Sequence, residues 1–515
     1  MNIFNKKISN GVNLTGKKIL IFQQRGWGLR VGHFLAKKLA AEGARLAALT
    51  LKRSTHKFVV EQREVNYDLI VNNDEIMGDP VTYLAGETIS LAEICKDLGV
   101  DSVWPLVWSL RNYVMSYKDK YYYSFRQNVS DEDMIAYVMA MYKCIRDIFA
   151  KFTPDLILAP NFVGLPHLMF HLYAKKRGVR MIGVADAKVR GVNVFSYSYV
   201  NDEGPFYDRI EELNEGRADS ENREKAKKYI AECRKSMMHP EYFDWTQKSK
   251  SVWKKVRSEI APYYHILRWY IKRPINYLPV VGPTPDYRPP RIILRDHFAR
   301  KRYRKFYDNF SYYPFEKLGR FAYFPLQFQP EATLDVISPY FNNQIELARL
   351  IAMSLPDDIT LAVREHPAMI GLRSSAYLEK LARTPNVKVI DYRVPSDDVL
   401  KRAALVVSPS GTTLAEAAFY NKPAIQFGNL GTTLRMPNVT KHTDMTTLPK
   451  KIREVLSQNL QTPEYERRLE NFVAAAYDTG FNYNYVGFWV KGSEADLEGL
   501  WSAYLAEIER SVIKL

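Results

Sequence analysis

Apolar positions in this chain recur at two spacings. Short continuous runs, many with β-branched residues, stand at Lys18–Gln23, Arg45–Leu51, Asp155–Ala159 and Val179–Val184. A second group stands at Phe321–Phe324, Ile359–Val363, Val387–Ile390, Leu405–Val407 and Ala424–Phe427. Runs of this length and content predict buried parallel strands. Between them the period lengthens to that of a helix over His33–Glu42, His167–Lys176, Phe341–Ser354 and Leu414–Tyr420. Ser396-Asp397-Asp398 caps a further helix, and 60–150, 205–245, 445–475 and 489–515 read as mostly helical. Tyr113–Phe125, with its five tyrosines, reads as a helix packed by aromatics. Regular β-α alternation predicts an α/β fold with parallel sheets. The 515 residues exceed what one core holds, so two Rossmann-like domains are expected. Their spans are 14–245 and 319–480, joined by a connector at 246–318 and followed by C-terminal helices at 481–515.

Composition narrows this picture. Hydrophobic residues make up 46%, enough for two large cores. Cys95, Cys144 and Cys233 have no paired spacing, which argues against a disulfide framework or a structural zinc site and fits a reducing cytoplasm. The first 18 residues are polar and basic without an apolar core, so no signal peptide is expected. The longest apolar stretch, Leu156–Ala174, is interrupted by two prolines, an asparagine and two histidines, so no membrane span is expected. The net charge of +16 is uneven. Thr246–Lys305 holds 16 Lys or Arg against 3 acids, an excess of 16 − 3 = 13. The cations are mixed with Trp253, Tyr263, Tyr264, Trp269, Tyr270, Tyr277 and prolines that include Pro274, Pro279, Pro283, Pro285, Pro289 and Pro290. That mixture suits an anionic membrane surface. It also suits nucleic acid, for which no RNA-binding signature is present, or a plain solvated connector.

Candidate chemistry gathers at predicted strand ends. The first loop, Arg25-Gly26-Trp27-Gly28-Leu29-Arg30-Val31-Gly32, has the spacing G-x-G-x-x-x-G, and Lys52-Arg53 stand where a dinucleotide site needs an acid. This argues against NAD. The glycines instead admit a substrate to the sheet edge, with Arg25, Arg30 and His33 facing a cleft. Asp186 ends a strand, with Lys188 and Arg190 after it. It reads as a general base or as a turn residue. Asp131-Glu132-Asp133 reads as the acidic first turn of a helix after Ser130, not as a metal loop. Ser408-Pro409-Ser410-Gly411-Thr412-Thr413 opens a helix and presents N–H groups and a positive dipole end, an anion site. Glu416 follows within one turn, placed to accept from ribose hydroxyls. The plainer reading is that Ser410 or Thr412 caps the helix. Gln327, Gln329, Glu331, His366, Tyr392 and this loop all end strands, so they share one sheet edge.

Three segments carry a resemblance. Tyr323–Glu331 (YFPLQFQPE), Arg364-Glu365-His366-Pro367 and Leu414–Ile425 (LAEAAFYNKPAI) occur in this order over about 110 residues. Together they resemble the GT-B glycosyltransferases of bacterial capsule and surface polysaccharide, including those that use CMP-activated acidic sugars. The resemblance implies a metal-independent enzyme with a nucleotide sugar as substrate and no separate cofactor. The donor would lie on Gln327, Gln329, Glu331, Arg364, Glu365, His366, Ser408, Ser410, Gly411, Thr412, Thr413 and Glu416. His366 would contact the donor phosphate, and Asp186 and His366 would be catalytic. The acceptor, a polysaccharide or lipid-linked glycan, would meet Arg25, Gly26, Gly28 and Arg30. The last helix, 497–512, would cross back to the first domain. A cytoplasmic protein, peripheral at the inner face of the membrane, is implied, with a CMP-ulosonic acid favoured as donor. The family's serine-threonine pair is here Ser410-Gly411-Thr412-Thr413, which leaves open which hydroxyl takes part. The alternatives are a UDP-sugar 2-epimerase, usually without the connector and the QPE segment, and a non-catalytic glycan- or lipid-binding protein on the same fold.

Overall fold

The computed structural model describes residues 13–110, 129–238, 252–276, 278, 280, 288–482, 485–489 and 494–512. The expected aromatic helix at Tyr113–Phe125 lies outside the described residues, as do Tyr277 and the connector prolines Pro279, Pro283 and Pro285.

The first sheet begins with β1 (Lys18–Gln23), α1 (Arg25–Leu29), α2 (Val31–Ala41), β2 (Arg45–Thr50), α3 (Arg53–Glu61) and β3 (Leu69–Asn72). It continues through α4 (Asp131–Lys151), β4 (Leu156–Leu158), α5 (Leu165–Lys175), β5 (Arg180–Asp186) and β6 (Asn193–Ser196). The strand order is β3-β2-β1-β4-β5-β6, parallel except for β6 against β5. β1 alternates its side chains between two cores. Leu20 and Phe22 meet Tyr137, Met141 and Ile145 of α4. Ile19 and Ile21 meet Leu35 and Leu39 of α2.

The connector is mostly helical: α6 (Val252–Asn276) and α7 (Pro290–Asp308) form an antiparallel pair. Four of the connector's prolines fall between these helices in the sequence, and Pro290 takes the first position of α7, where its missing N–H costs nothing.

The second sheet comprises β7 (Phe321–Pro325), β8 (Thr360–Arg364), β9 (Val387–Ile390), β10 (Leu405–Ser408), α8 (Thr412–Phe419), β11 (Ala424–Gln426) and β12 (Val439–Lys441). Its order is β12-β11-β10-β7-β8-β9, all parallel. Both sheets therefore follow the Rossmann order, with switch points between β1 and β4 and between β7 and β10. β3, β6 and β12 escape the sequence reading. Each is an edge strand of 3 or 4 residues, paired on one side only, so each lacks a long apolar run.

Among the helices that follow are α9 (Pro463–Thr479) and α10 (Glu494–Val512). Leu500, Tyr504 and Ile508 of α10 are buried in the same core as Ile19 and Ile21, so the last helix covers the first sheet. Leu469 and Phe472 of α9 pack with Val192 and Phe206 from the first half of the chain and with Ala415 and Phe419 of α8. This shared core holds the two sheets together around a cleft.

Candidate functional site

The cleft encloses about 610 Å³ between the carboxyl ends of the two sheets. Asp186, Lys188 and Arg190 line it from the first sheet, and Tyr485 and Trp489 from the segment after α9. From the second sheet come Gln327, Glu331, Arg364, Glu365, His366, Gly411, Thr412, Thr413 and Glu416. Strand ends that lie far apart in sequence thus supply one wall, as the shared-edge argument expects.

The loop after β10 sets the anion-binding geometry. Gly411, not Ser410 or Thr412, is the N-cap of α8, and no side chain caps the helix. A Cβ on Gly411 would stand 2.7 Å from Oε1 of Gln327, and its φ of 120° disfavours any L side chain. The helix start therefore comes within touching distance of β7's Gln327 only because the residue is glycine. Ser410 is fully buried, and its hydroxyl donates to the Thr333 carbonyl at 2.8 Å. Ser408 is equally enclosed and donates to the Ser410 carbonyl at 2.7 Å. Both hydroxyls brace the loop from behind and do not face the cleft. Gln329 is also buried, donating to Asn342 O at 3.4 Å. Of the donor residues that the resemblance implies, these three lie behind the wall.

His366 follows β8. Its Nδ1 accepts from the Ala368 N–H at 3.1 Å, which leaves the proton of the neutral ring on Nε2. Burial lowers its pKa to about 4, assisted by the charges of Arg373 and Arg364. The ring is therefore a neutral hydrogen-bond donor across the ordinary pH range. Behind it lies an ion pair that is closed to solvent. Glu365 accepts from Arg373 at 2.7 Å and from the His366 N–H at 2.7 Å, and Tyr307 of α7 donates to its other oxygen at 3.2 Å. Both Glu365 and Arg373 are 0% exposed. Arg373 also donates to Gln327 O at 2.6 Å, so one guanidinium ties the strand ends of β7 and β8 together. Although Glu365 touches the cleft, its oxygens serve this brace.

The opposite wall holds Asp186 and Lys188. Asp186 accepts from the Lys188 N–H at 2.6 Å, the contact of a turn residue, while Lys188 adopts φ 61°. The Lys188 ammonium stands 3.6 Å from the same carboxylate and donates across the cleft to Thr412 Oγ1 at 3.4 Å. Asp186 therefore makes the turn contact that one of its readings expects, and it also borders the cleft. Sequence reasoning noted Lys188 without a role; it is a cation at the start of α8. Tyr485 and Trp489 were missed altogether, and their only signal is the density of aromatics in 481–489.

The first loop differs from expectation. Residues 25–29 form the helix α1, and none of Arg25, Gly26, Gly28 and Arg30 lines the cleft. Arg25 and Arg30 are exposed, and His33 pairs with Glu64 at 2.7 Å. A Cβ on Gly28 would meet the Gln23 carbonyl carbon at 2.8 Å, and one on Gly26 the Trp489 carbonyl oxygen at 2.8 Å. These glycines serve close packing. Asp131-Glu132-Asp133 form the first turn of α4, with Ser130 accepting from the Asp133 N–H at 3.1 Å, as the helix-start reading has it.

No family model and no curated protein matches the chain. Among solved structures it is similar to a β-Kdo 2,4-transferase of Thermosulfurimonas dismutans KpsC, at 12% identity and a TM-score of 0.34 over 68% of this chain and 87% of that one. The β-Kdo 2,7-transferase of the same organism's KpsC gives 13% identity and a TM-score of 0.32 over 66% and 85%. UDP-GlcNAc 2-epimerase of Neisseria meningitidis, bound to UDP-GlcNAc, gives 10% identity and a TM-score of 0.24 over 90% and 97%. The chain's own strand orders and cleft define the architecture: two Rossmann-like domains facing each other, the GT-B fold.

Proposed function

We propose that this chain is a glycosyltransferase that moves a sugar from a nucleotide donor to a surface polysaccharide or lipid-linked glycan. A CMP-activated ulosonic acid is the favoured donor. One observation carries the reading: the uncapped start of α8, Arg364 and the neutral His366 ring border one wall of a cavity, and Lys188 reaches across to Thr412 from the opposite wall, which it shares with Asp186. Expelling a nucleotide needs stabilisation of the leaving phosphate. The N–H groups at Gly411–Thr413, the Nε2–H of His366 and the two cations supply it from the protein itself, without a metal. Glu416, on the inner side of α8, accepts from the ribose hydroxyls. Asp186 takes the proton of the acceptor hydroxyl from the opposite wall. The acceptor would be presented at an anionic membrane surface, met by residues 246–305, on the cytoplasmic side.

A thermal-shift series with CMP, UDP, GDP, ADP and CDP tests the donor site, since a ligand of the folded state raises Tm by mass action. A CMP-selective rise supports the ulosonic donor. A UDP-selective rise, with epimerisation of a free UDP-sugar and no acceptor, would replace the transferase with an epimerase. No rise with any nucleotide overturns the reading.

A further inference from the structure

The helix α6 carries a stripe that no other described part of the fold covers. Trp253, Val256, Ile260, Tyr263, Tyr264, Leu267, Tyr270 and Ile271 are all solvent-exposed, Trp253 at 81% and Ile271 at 65%. They recur every three or four residues and, at 100° per residue, fall within an arc of about 120°. The stripe runs from Trp253 to Ile271 of a 25-residue helix. Arg257 and Arg268, both exposed, border one side of it. The opposite side faces the protein: Pro262 is buried, and α6 packs against α3 and α7. Glu259 pairs with Lys301 and stands 3.6 Å from His297, which fastens α6 to α7.

We infer that this face of α6 lies in the headgroup layer of an anionic bilayer, parallel to its plane. The inference deepens the membrane-partner reading above by naming the docking face, and its reference to a membrane-borne acceptor rests on that reading. Three observations select the occupant. Tyrosine and tryptophan, apolar bodies with a polar tip, are the residues of the water–lipid boundary. By sequence α6 carries six cations (Lys254, Lys255, Arg257, Arg268, Lys272, Arg273) against Glu259 alone. Such an excess favours anionic headgroups and repels a second copy of the same helix. The centre of the stripe is aliphatic, with Ile260, Leu267 and Ile271, which suits lipid, whereas stacked bases would gain nothing from it. No described helix is long and apolar enough to cross a membrane, so this one lies on it.

The docking face is joined to the donor site. Tyr307 and Asp308 of α7 bond to Glu365 at 3.2 Å and to Tyr392 at 2.6 Å, at the ends of β8 and β9. On the other side α6 rests on α3, which begins at the carboxyl edge of β2. The hairpin thus touches both domains at their cleft edges, so a helix laid on the membrane fixes how the cleft approaches a membrane-borne acceptor.

Flotation of the full chain with vesicles of mixed phosphatidylglycerol and phosphatidylcholine, against phosphatidylcholine alone, tests this. Binding to the anionic vesicles is expected. The quadruple variant Trp253→Ser, Tyr264→Ser, Leu267→Ser, Ile271→Ser should bind them about tenfold more weakly or worse. Arg257→Glu with Arg268→Glu should lose about fivefold per position, with the loss fading at high salt. Because the substituted residues are exposed, melting temperature and nucleotide-induced shift should match the parent. Unchanged vesicle binding by the quadruple variant, or no binding by the parent, overturns the inference. So does a parent dimer that the quadruple variant converts to monomer. Vesicle binding without any nucleotide shift would leave the docking face standing and remove the transferase reading; the converse result would do the opposite.

Discussion

His366, Gly411 and Arg373 occupy neighbouring positions for different reasons, and substitutions separate them. His366 contributes a neutral donor at the cleft wall. His366→Ala should lower transfer by about 10²–10³-fold, the usual cost of one lost donor to developing charge, with little change in Tm. Turnover at the parent rate would remove it from the mechanism. Gly411 combines φ 120° with the close approach to Gln327. Gly411→Ala should cost about 1–3 kcal/mol in urea unfolding and abolish nucleotide-induced stabilisation, because the helix start must shift. Arg373→Met leaves the Glu365 carboxylate enclosed without its partner and should cost about 3–5 kcal/mol. Adding Glu365→Gln should recover part of that loss, and a double-mutant cycle reads the coupling. The rank of these residues was visible in the sequence only in part. The histidine stood out by its motif, whereas Arg373 lay in an unmarked turn and was not singled out.

At the scale of elements, the last helix matters most. α10 closes the core beneath β1, although more than four hundred residues separate them in the chain. Ile508 is fully buried there beside Ile19 and Ile21. Ile508→Ala should therefore destabilise the whole chain by about 2–5 kcal/mol, with an unchanged urea m-value, and not merely fray its terminus. A loss below about 0.5 kcal/mol would mean that α10 is dispensable to the first sheet. The hairpin of α6 and α7 makes the opposite point. Its helices were not read from the sequence, where the segment was weighed by composition alone.

For the whole molecule, two histidines kept neutral by desolvation, His171 and His366, set a pH dependence. Burial lowers the pKa of His171 to about 4, as it does for His366. The unfolded chain takes up these protons near pH 6.5, while the folded one resists until about pH 4. Between those values the unfolded state holds more protons, so stability falls as pH falls. The slope reaches about 1.4 kcal/mol per pH unit for each histidine. Urea midpoints from pH 7.5 to 4.5 should decline accordingly, and His171→Gln should flatten its share of the slope. A midpoint that stayed level over this range would mean that neither ring is shielded.

What the sequence determined by itself was local. Nine of the twelve described strands announced themselves, the eight central ones because strands buried on both faces must be apolar throughout, and the edge strand β9 by its own short apolar run. The helix after the Ser408–Thr413 loop, the strand-end histidine and the single edge shared by Gln327, His366 and Gly411 followed from period and from the rule that parallel strands open their ligand site at one end. Tertiary structure decided everything that depends on which surfaces meet. It turned Ser408, Ser410 and Gln329 inward to brace the loop, since a buried hydroxyl or amide must find a partner and theirs lay behind the wall. It folded the glycine-rich first loop into a short helix, where close backbone packing absorbed the glycines. It brought Lys188 to the start of α8 and Trp489 to the cleft, and it left one face of α6 uncovered by the described residues. None of these can be read from spacing along the chain, because each is a contact between segments whose distance in sequence carries no information about their distance in space.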